Sequence, residues 1–187
     1  MATQRHSQDI PQVLSFWFDE TPEKNWFIKD AAFDDLLRQR FEKIIRRALA
    51  GQLDSWAEDA EGLLALIILL DQMTRNIFRD TPMAFAGDDM ALALTLKGVD
   101  RGDLDRLEHQ VQRQFMLMPM MHAEDLAIQE ASLPLFEKYT SADTYDYAIR
   151  HRDIIARFGR FPHRSTILGR PLTAAEAEFL KGPNSSF

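Results

Sequence analysis

A chain of 187 residues, 45% hydrophobic and 27% charged, is long enough to close one core and too apolar to be disordered. Having no cysteine, it excludes a disulfide scaffold, a zinc–thiolate centre and a thiol nucleophile, and the expected compartment is a reducing cytoplasm. The net charge of −7 argues against nucleic acid as a partner, although Asp143 to Arg170 alone carries +3 and leaves −10 for the rest.

In chain order, MATQRHSQDIPQVL lacks the unbroken apolar stretch of a secretion signal. Helical periodicity begins at Ile10–Phe18 and resumes at Ala31–Ala50, where Asp30 supplies an N-cap and Gly51 a left-handed stop. A third helix, Glu58–Phe78, contains LLALIILL (Leu63–Leu70). Eight apolar residues fall short of the roughly 20 that a membrane span needs, so the run reads as the centre of a buried helix and no membrane partner is expected. Helices follow at Asp88–Arg101, Leu107–Met118 (stopped by Pro119), Ala123–Tyr139, Ala142–Phe158 and Thr173–Leu180. Thr173 with Glu176 forms a capping-box pattern. Strand-like alternation is absent and the connections are short. The expected fold is therefore all-α, built of antiparallel helix hairpins stacked in one domain, with a core from about residue 8 to 181 and a loose tail at 182–187.

Function is sought where charge interrupts an apolar face. Leu64, Ile67, Ile68, Asp71, Arg75 and Phe78 share one stripe of the third helix, which embeds an i,i+4 ion pair in hydrophobic surface, with Asn76 and Arg79 beside it. Phe115, Met118, His122 and Leu126 line another face, flanked by Glu124, and Tyr147, His151, Ile154, Ile155 and Phe158 line a third. Asp146–Arg150 and Asp153–Arg157 read as ordinary surface bridges, with Arg157 also able to reach elsewhere. The densest feature is RFGRFPHRS, Arg157 to Ser165. Its Gly159 ends a helix, Pro162 stiffens the turn and two phenylalanines anchor it. Arg160, His163 and Arg164 have no acidic partner nearby in sequence, so the turn either closes onto distant carboxylates or offers forks to an anion.

Taken together, FWF (Phe16–Phe18), LLDQ..RNIFR (Leu69–Arg79), P.MHAED (Pro119–Asp125), RFGRFPHR (Arg157–Arg164) and LGR (Leu168–Arg170) resemble the bacterial family called domain of unknown function 924. The resemblance spans about Val13 to Leu180 and implies a helical fold similar to tetratricopeptide repeats, together with a set of shared polar positions. It implies no activity. The chain departs from the family pattern at Met73–Thr74 (commonly Phe-Pro), at Ala123 (commonly serine) and at Ser165 (commonly asparagine).

Specific chemistries are poorly represented. HAED lacks the two-turn spacing of a zinc motif, so neither a metal nor another cofactor is expected. There is no serine elbow and no phosphate-cradling glycine loop. The expected function is binding of a small anionic molecule or an acidic peptide terminus. Candidate site residues are Asp71, Arg75, Asn76, His122, Glu124, His151, Arg157, Arg160, His163 and Arg164, with Arg160 and Arg164 as the anion forks. The alternative is a structural polar network on a scaffold with a peptide groove. No pattern fixes an oligomeric state.

Overall fold

Leu63–Leu70 are each at most 2% exposed, and a helix that is apolar on every side is stable only when other elements surround it. The computed structural model, which describes residues 3–183 and 185–186, shows how they do so. The chain forms α1 (Thr3–Ser15, extended by a π-helical turn at Phe16–Glu20), α2 (Ala31–Leu49), α3 (Ala60–Ile67) and α4 (Thr74–Ile77). It continues with α5 (Asp88–Arg101), α6 (Gln110–His122), α7 (Leu126–Tyr139), α8 (Ala142–Phe158) and α9 (Ala174–Phe179). Short 3-10 turns join several of these, and there is no strand among the described residues. The fold is all-α.

The buried run lies in α3 and in a π-helical stretch, Ile68–Met73, that links α3 to α4. Helices α1, α5 and α6 pack on α3, while α2, α5 and α6 pack on its continuation. After α6 the connections are very short, three residues to α7 and two to α8, so the three helices fold back as antiparallel hairpins. Consequently α6 and α8 run in the same direction. His122 and His151 meet at one end with rings 6.3 Å apart, and Thr144 Oγ1 donates to Gln114 Oε1 at 3.2 Å two turns away.

Caps appear where the residues call for them. Asp30 Oδ1 accepts from Ala32 N at 2.9 Å, and Thr173 and Glu176 close a reciprocal box at the start of α9. The expected helix Glu58–Phe78 is divided into α3, the π-helical stretch and α4, α6 and α7 begin three residues later than expected, at Gln110 and Leu126, and two further boundaries differ at prolines. The expected first helix at Ile10–Phe18 is the later part of α1, which passes through Pro11 and is held beyond it by the buried Val13, Phe16 and Trp17. The expected stop at Pro119 does not occur either, because α6 continues to His122. Pro119 and its neighbours Met118 and Met120 are buried, and Met116 O accepts from the buried Thr95 Oγ1 of α5 at 2.8 Å, so packing holds α6 through the proline.

Of the tail expected to be loose, positions 184 and 187 lie outside the described residues. Ser185 is 7% exposed and its Oγ donates to Leu180 O at 3.2 Å. No helix among the described residues is long and apolar enough to cross a membrane.

Candidate functional site

The π-helical stretch turns polar at its end, and Asp71 emerges from the core there with its side chain fully buried. Its carboxylate accepts from His122 Nδ1 at 2.8 and 3.0 Å and from Gln72 Nε2, and it pairs with Arg75 Nη1 at 3.2 Å. Arg75 Nη1 also donates to the Asp71 carbonyl, so this guanidinium is tied to its own helix. Arg75 Nη2 then reaches Asp88 Oδ2 at 3.0 Å on the first turn of α5. Asp88 Oδ2 accepts a second arginine, Arg164 Nη1, at 3.3 Å. The embedded pair, the α6 histidine and the cationic turn thus meet through an aspartate to which nothing in the sequence spacing points.

Arg164 is 7% exposed. Its guanidinium lies between the Phe161 and Phe85 rings, 4.6 and 4.9 Å from their centroids, where cation–π attraction offsets part of its desolvation. The 3.3 Å bond to Asp88 is long for a charged pair. Arg164 Nε is buried with no hydrogen-bond partner among the described residues, and Asp88 Oδ1 is in the same condition. Burial, and then the charge of Arg75, pull the Arg164 guanidinium down to about 10.

Several of these groups, though neither Asp71 nor Asp88, line a cavity of about 860 Å³, within the range of small-molecule sites. Gln72, Arg75, Asn76, His122, His151, His163 and Arg164 face it, and Trp26, Phe27, Phe85, Met118, Met121 and Tyr147 form its apolar wall. Trp26 is fixed by its Nε1–H donating to Trp17 O at 3.0 Å and by an edge contact with Phe115 at 5.0 Å.

Three candidates lie elsewhere. Arg160, expected as an anion fork, is committed to Glu176: Nε and Nη2 donate to its two oxygens at 2.6 and 2.8 Å, and Nη2 also meets Pro171 O. Glu124 clamps the turn from α7's side of the site, accepting from Phe161 N at 2.7 Å and from both terminal nitrogens of Arg170. Arg157 stacks over Phe158 and Phe179, and Asp153 pairs with Arg152 instead. Asn76 lines the cavity but gives its Nδ2 to Asp34 at 2.8 Å, beside the bidentate Arg79–Asp34 bridge. That bridge neutralises Arg79, as Asp80 does Lys29. The sequence reading missed Asp88, Asp34, Phe85 and Phe27, which lie in turns or at helix starts where no periodicity marks a face.

Electrostatically the floor is balanced. Burial alone would raise the Asp71 carboxyl, but Arg75 and His122 hold it well below the usual carboxylate range. Asp88 is pushed up, chiefly by burial. The three imidazoles are all pushed down, first by burial and then in part by neighbouring cations; His151 falls to about 3 and His163 to about 4. They are therefore neutral at pH 7. With Asp71 accepting from Nδ1–H, the neutral His122 carries its lone pair on Nε2, able to accept a hydrogen bond or a proton.

Depressed histidines make the fold acid-sensitive. The unfolded chain binds protons near pH 6.5 whereas the folded chain does not, so stability present above that pH is lost as pH falls toward 4 and 3. Each such histidine costs about 1.4 kcal/mol per pH unit in that window. Asp88 opposes this as a single group, while Asp71 and Glu124 add to the loss only below the ordinary carboxylate range. Urea unfolding is expected to give a lower stability at pH 5.5 than at 7.5, with a shallower pH slope for His151→Gln.

A family model described as bacterial protein of unknown function (DUF924) matches residues 13–184. The chain belongs to the DUF924 family. No curated protein matches it. A solved structure of a protein of unknown function from Agrobacterium tumefaciens is 38% identical, covers 94% of this chain and 99% of its own, and superposes with a TM-score of 0.88. That neighbour shares the helical fold described above. Within the DUF924 segment lie all the cavity groups named here, from Trp26 to Arg164.

Proposed function

We propose that the chain binds a small anionic ligand in the 860 Å³ cavity, with Arg164 as the anchor, Arg75 as its neighbour and neutral His122 as a hydrogen-bonding group. The observation that carries this reading is the contrast between the two arginines of one turn. Arg160 has three hydrogen bonds within the protein, whereas Arg164, buried and aromatic-sandwiched, has one long bond and an Nε with no partner among the described residues. Guanidinium donors are rarely left unmet in a folded interior, since each costs about 1–3 kcal/mol. A carboxylate or phosphate oxygen in the cavity that Arg164 lines would supply the acceptor its guanidinium lacks.

The test is calorimetric titration of phosphate and citrate at constant ionic strength, with chloride as control. The intact protein is expected to bind one equivalent, and a hundredfold excess over Kd raises unfolding free energy by about 2.7 kcal/mol. Arg164→Lys keeps the charge but not the fork, and should weaken binding roughly 30-fold or more while the far-ultraviolet spectrum is unchanged. If Arg164→Lys lowers the melting temperature and neither protein responds to any anion, the network is purely structural and the proposal fails.

A further inference from the structure

The walls of the cavity are divided along its length, and the division specifies what the rest of the ligand is. The direction is set by α6 and α8, which run side by side. His122 and His151 stand at the end that holds Asp71, Arg75 and Arg164. One turn back are Met118 and Tyr147, and a further turn back Gln114 and Thr144, bonded to each other. Eight residues separate His122 from Gln114, about 12 Å at the helical rise. At that far level Phe27 stacks on Phe115 with centroids 6.2 Å apart and parallel planes, yet is itself 62% exposed. Beside it Ile28 is 47% exposed, so the outer lip of the cavity is unusually apolar.

The space does not end there. A second depression of about 460 Å³ lies against the first and shares Trp26, Phe27, Gln114 and Thr144 with it. Beyond those its wall is mostly polar, with Glu23, Lys24, Gln110 and Ser141 around Val111, so the apolar path ends at Trp26 and Phe27. Two polar groups near this path are bonded within the protein: Gln114 Oε1 accepts from Thr144, and Lys29 pairs with Asp80. Along Met118, Met121, Trp26 and Phe27 a hydrocarbon or aryl tail buries apolar surface, whereas a peptide amide finds no partner on those side chains.

We infer that the ligand is an amphipathic organic acid, its anionic head at Arg164 and its apolar tail running along Met118 and Tyr147 to Phe27 and Trp26. This rests on the anion-binding reading above and adds the class of molecule. Charge complementarity fixes the orientation, head inward and tail toward the lip.

The experiment compares butanoate, octanoate and dodecanoate, below their micellar concentrations, with inorganic phosphate, dodecyltrimethylammonium and a short peptide ending in a free carboxylate. Binding to the full chain is followed by calorimetry. Affinity is expected to climb about fourfold per added methylene, the transfer free energy of one CH₂, until the space is filled. The alkylammonium, with the same tail, should not compete. Phe27→Ala, at an exposed position, should leave phosphate binding and the fold intact and reduce the gain from octanoate to dodecanoate at least fivefold. Equal affinities for butanoate and dodecanoate would overturn this inference and leave the anion site standing. Competition by the alkylammonium, or tighter binding of the peptide than of dodecanoate, would overturn it likewise. Failure of phosphate and of all three carboxylates would remove the anion site, and this inference with it.

Discussion

Asp71→Ala is expected to lower the unfolding free energy by about 3–5 kcal/mol, the usual result of removing one partner from a buried ion pair. The carboxylate is wholly buried and accepts from His122 and Gln72 while pairing with Arg75. Without it, Arg75 retains Asp88, but the buried Nδ1–H of His122 has nowhere to go. For a chain of this length the melting temperature should fall by about 10 °C. Urea unfolding at pH 7.5 measures the effect. Asp71→Asn keeps the shape and loses the charge, so it should fall between wild type and alanine. A change below 1 kcal/mol for alanine would show that water, and not the carboxylate, meets these donors.

Gly87→Ala should be comparably severe, about 3 kcal/mol, for a steric reason. A Cβ on Gly87 would stand 2.3 Å from Leu70 O, 2.9 Å from Leu70 C and 3.0 Å from Leu70 Cα, and all three are backbone atoms that no rotamer change can move. The torsion angles of Gly87 are ordinary (φ −96°, ψ −4°), so the loss is one of space and not of backbone freedom. Gly102 makes the opposite comparison. Its φ is +76° and a methyl group added there would meet open space, so Gly102→Ala should cost only about 1 kcal/mol. Because Asp88 follows Gly87 directly and Asp71 follows Leu70, the close approach is also what brings the two carboxylates to the same cavity-lining arginine, Arg75. Gly87→Ala should therefore weaken phosphate binding as well as stability, and calorimetry on the variant at 10 °C separates the two effects.

Much of the architecture is legible in the residues. The apolar run at Leu63–Leu70, the caps at Asp30 and Thr173, and the stop at Gly159 each have a local physical cause, and local causes are what a sequence displays. The prolines mislead because a helix carries one where tertiary packing holds it; Pro119 is buried in α6, which is bonded to Thr95 of α5 through Met116 O. The site divides in the same way. Asp71, Arg75, His122 and His151 stand out as polar residues on apolar faces, and the structure brings them together with Arg164. Arg160 looked equally unpartnered because Glu176 already had a use in the box that caps α9. One carboxylate serves both, accepting from Thr173 N at 2.7 Å and from Arg160. Asp88 and Phe27 carry no signature at all, since their roles arise from residues distant in the chain.

The π-helical stretch Ile68–Met73 has a consequence for how this protein can vary. Such a stretch is a helix holding one residue more than its turns require, and each residue advances an α-helix by about 100°. Upstream side chains are thus set by the demands of the core and downstream ones by those of the cavity, with the extra residue acting as a swivel between two otherwise incompatible phases. A lineage that lost one residue here could keep its greasy centre and its caps, yet would point Asp71 and Arg75 a quarter-turn away from their partners. The pairings of Asp71 with His122 and of Arg75 with Asp88, and the stability they contribute, depend on that surplus residue.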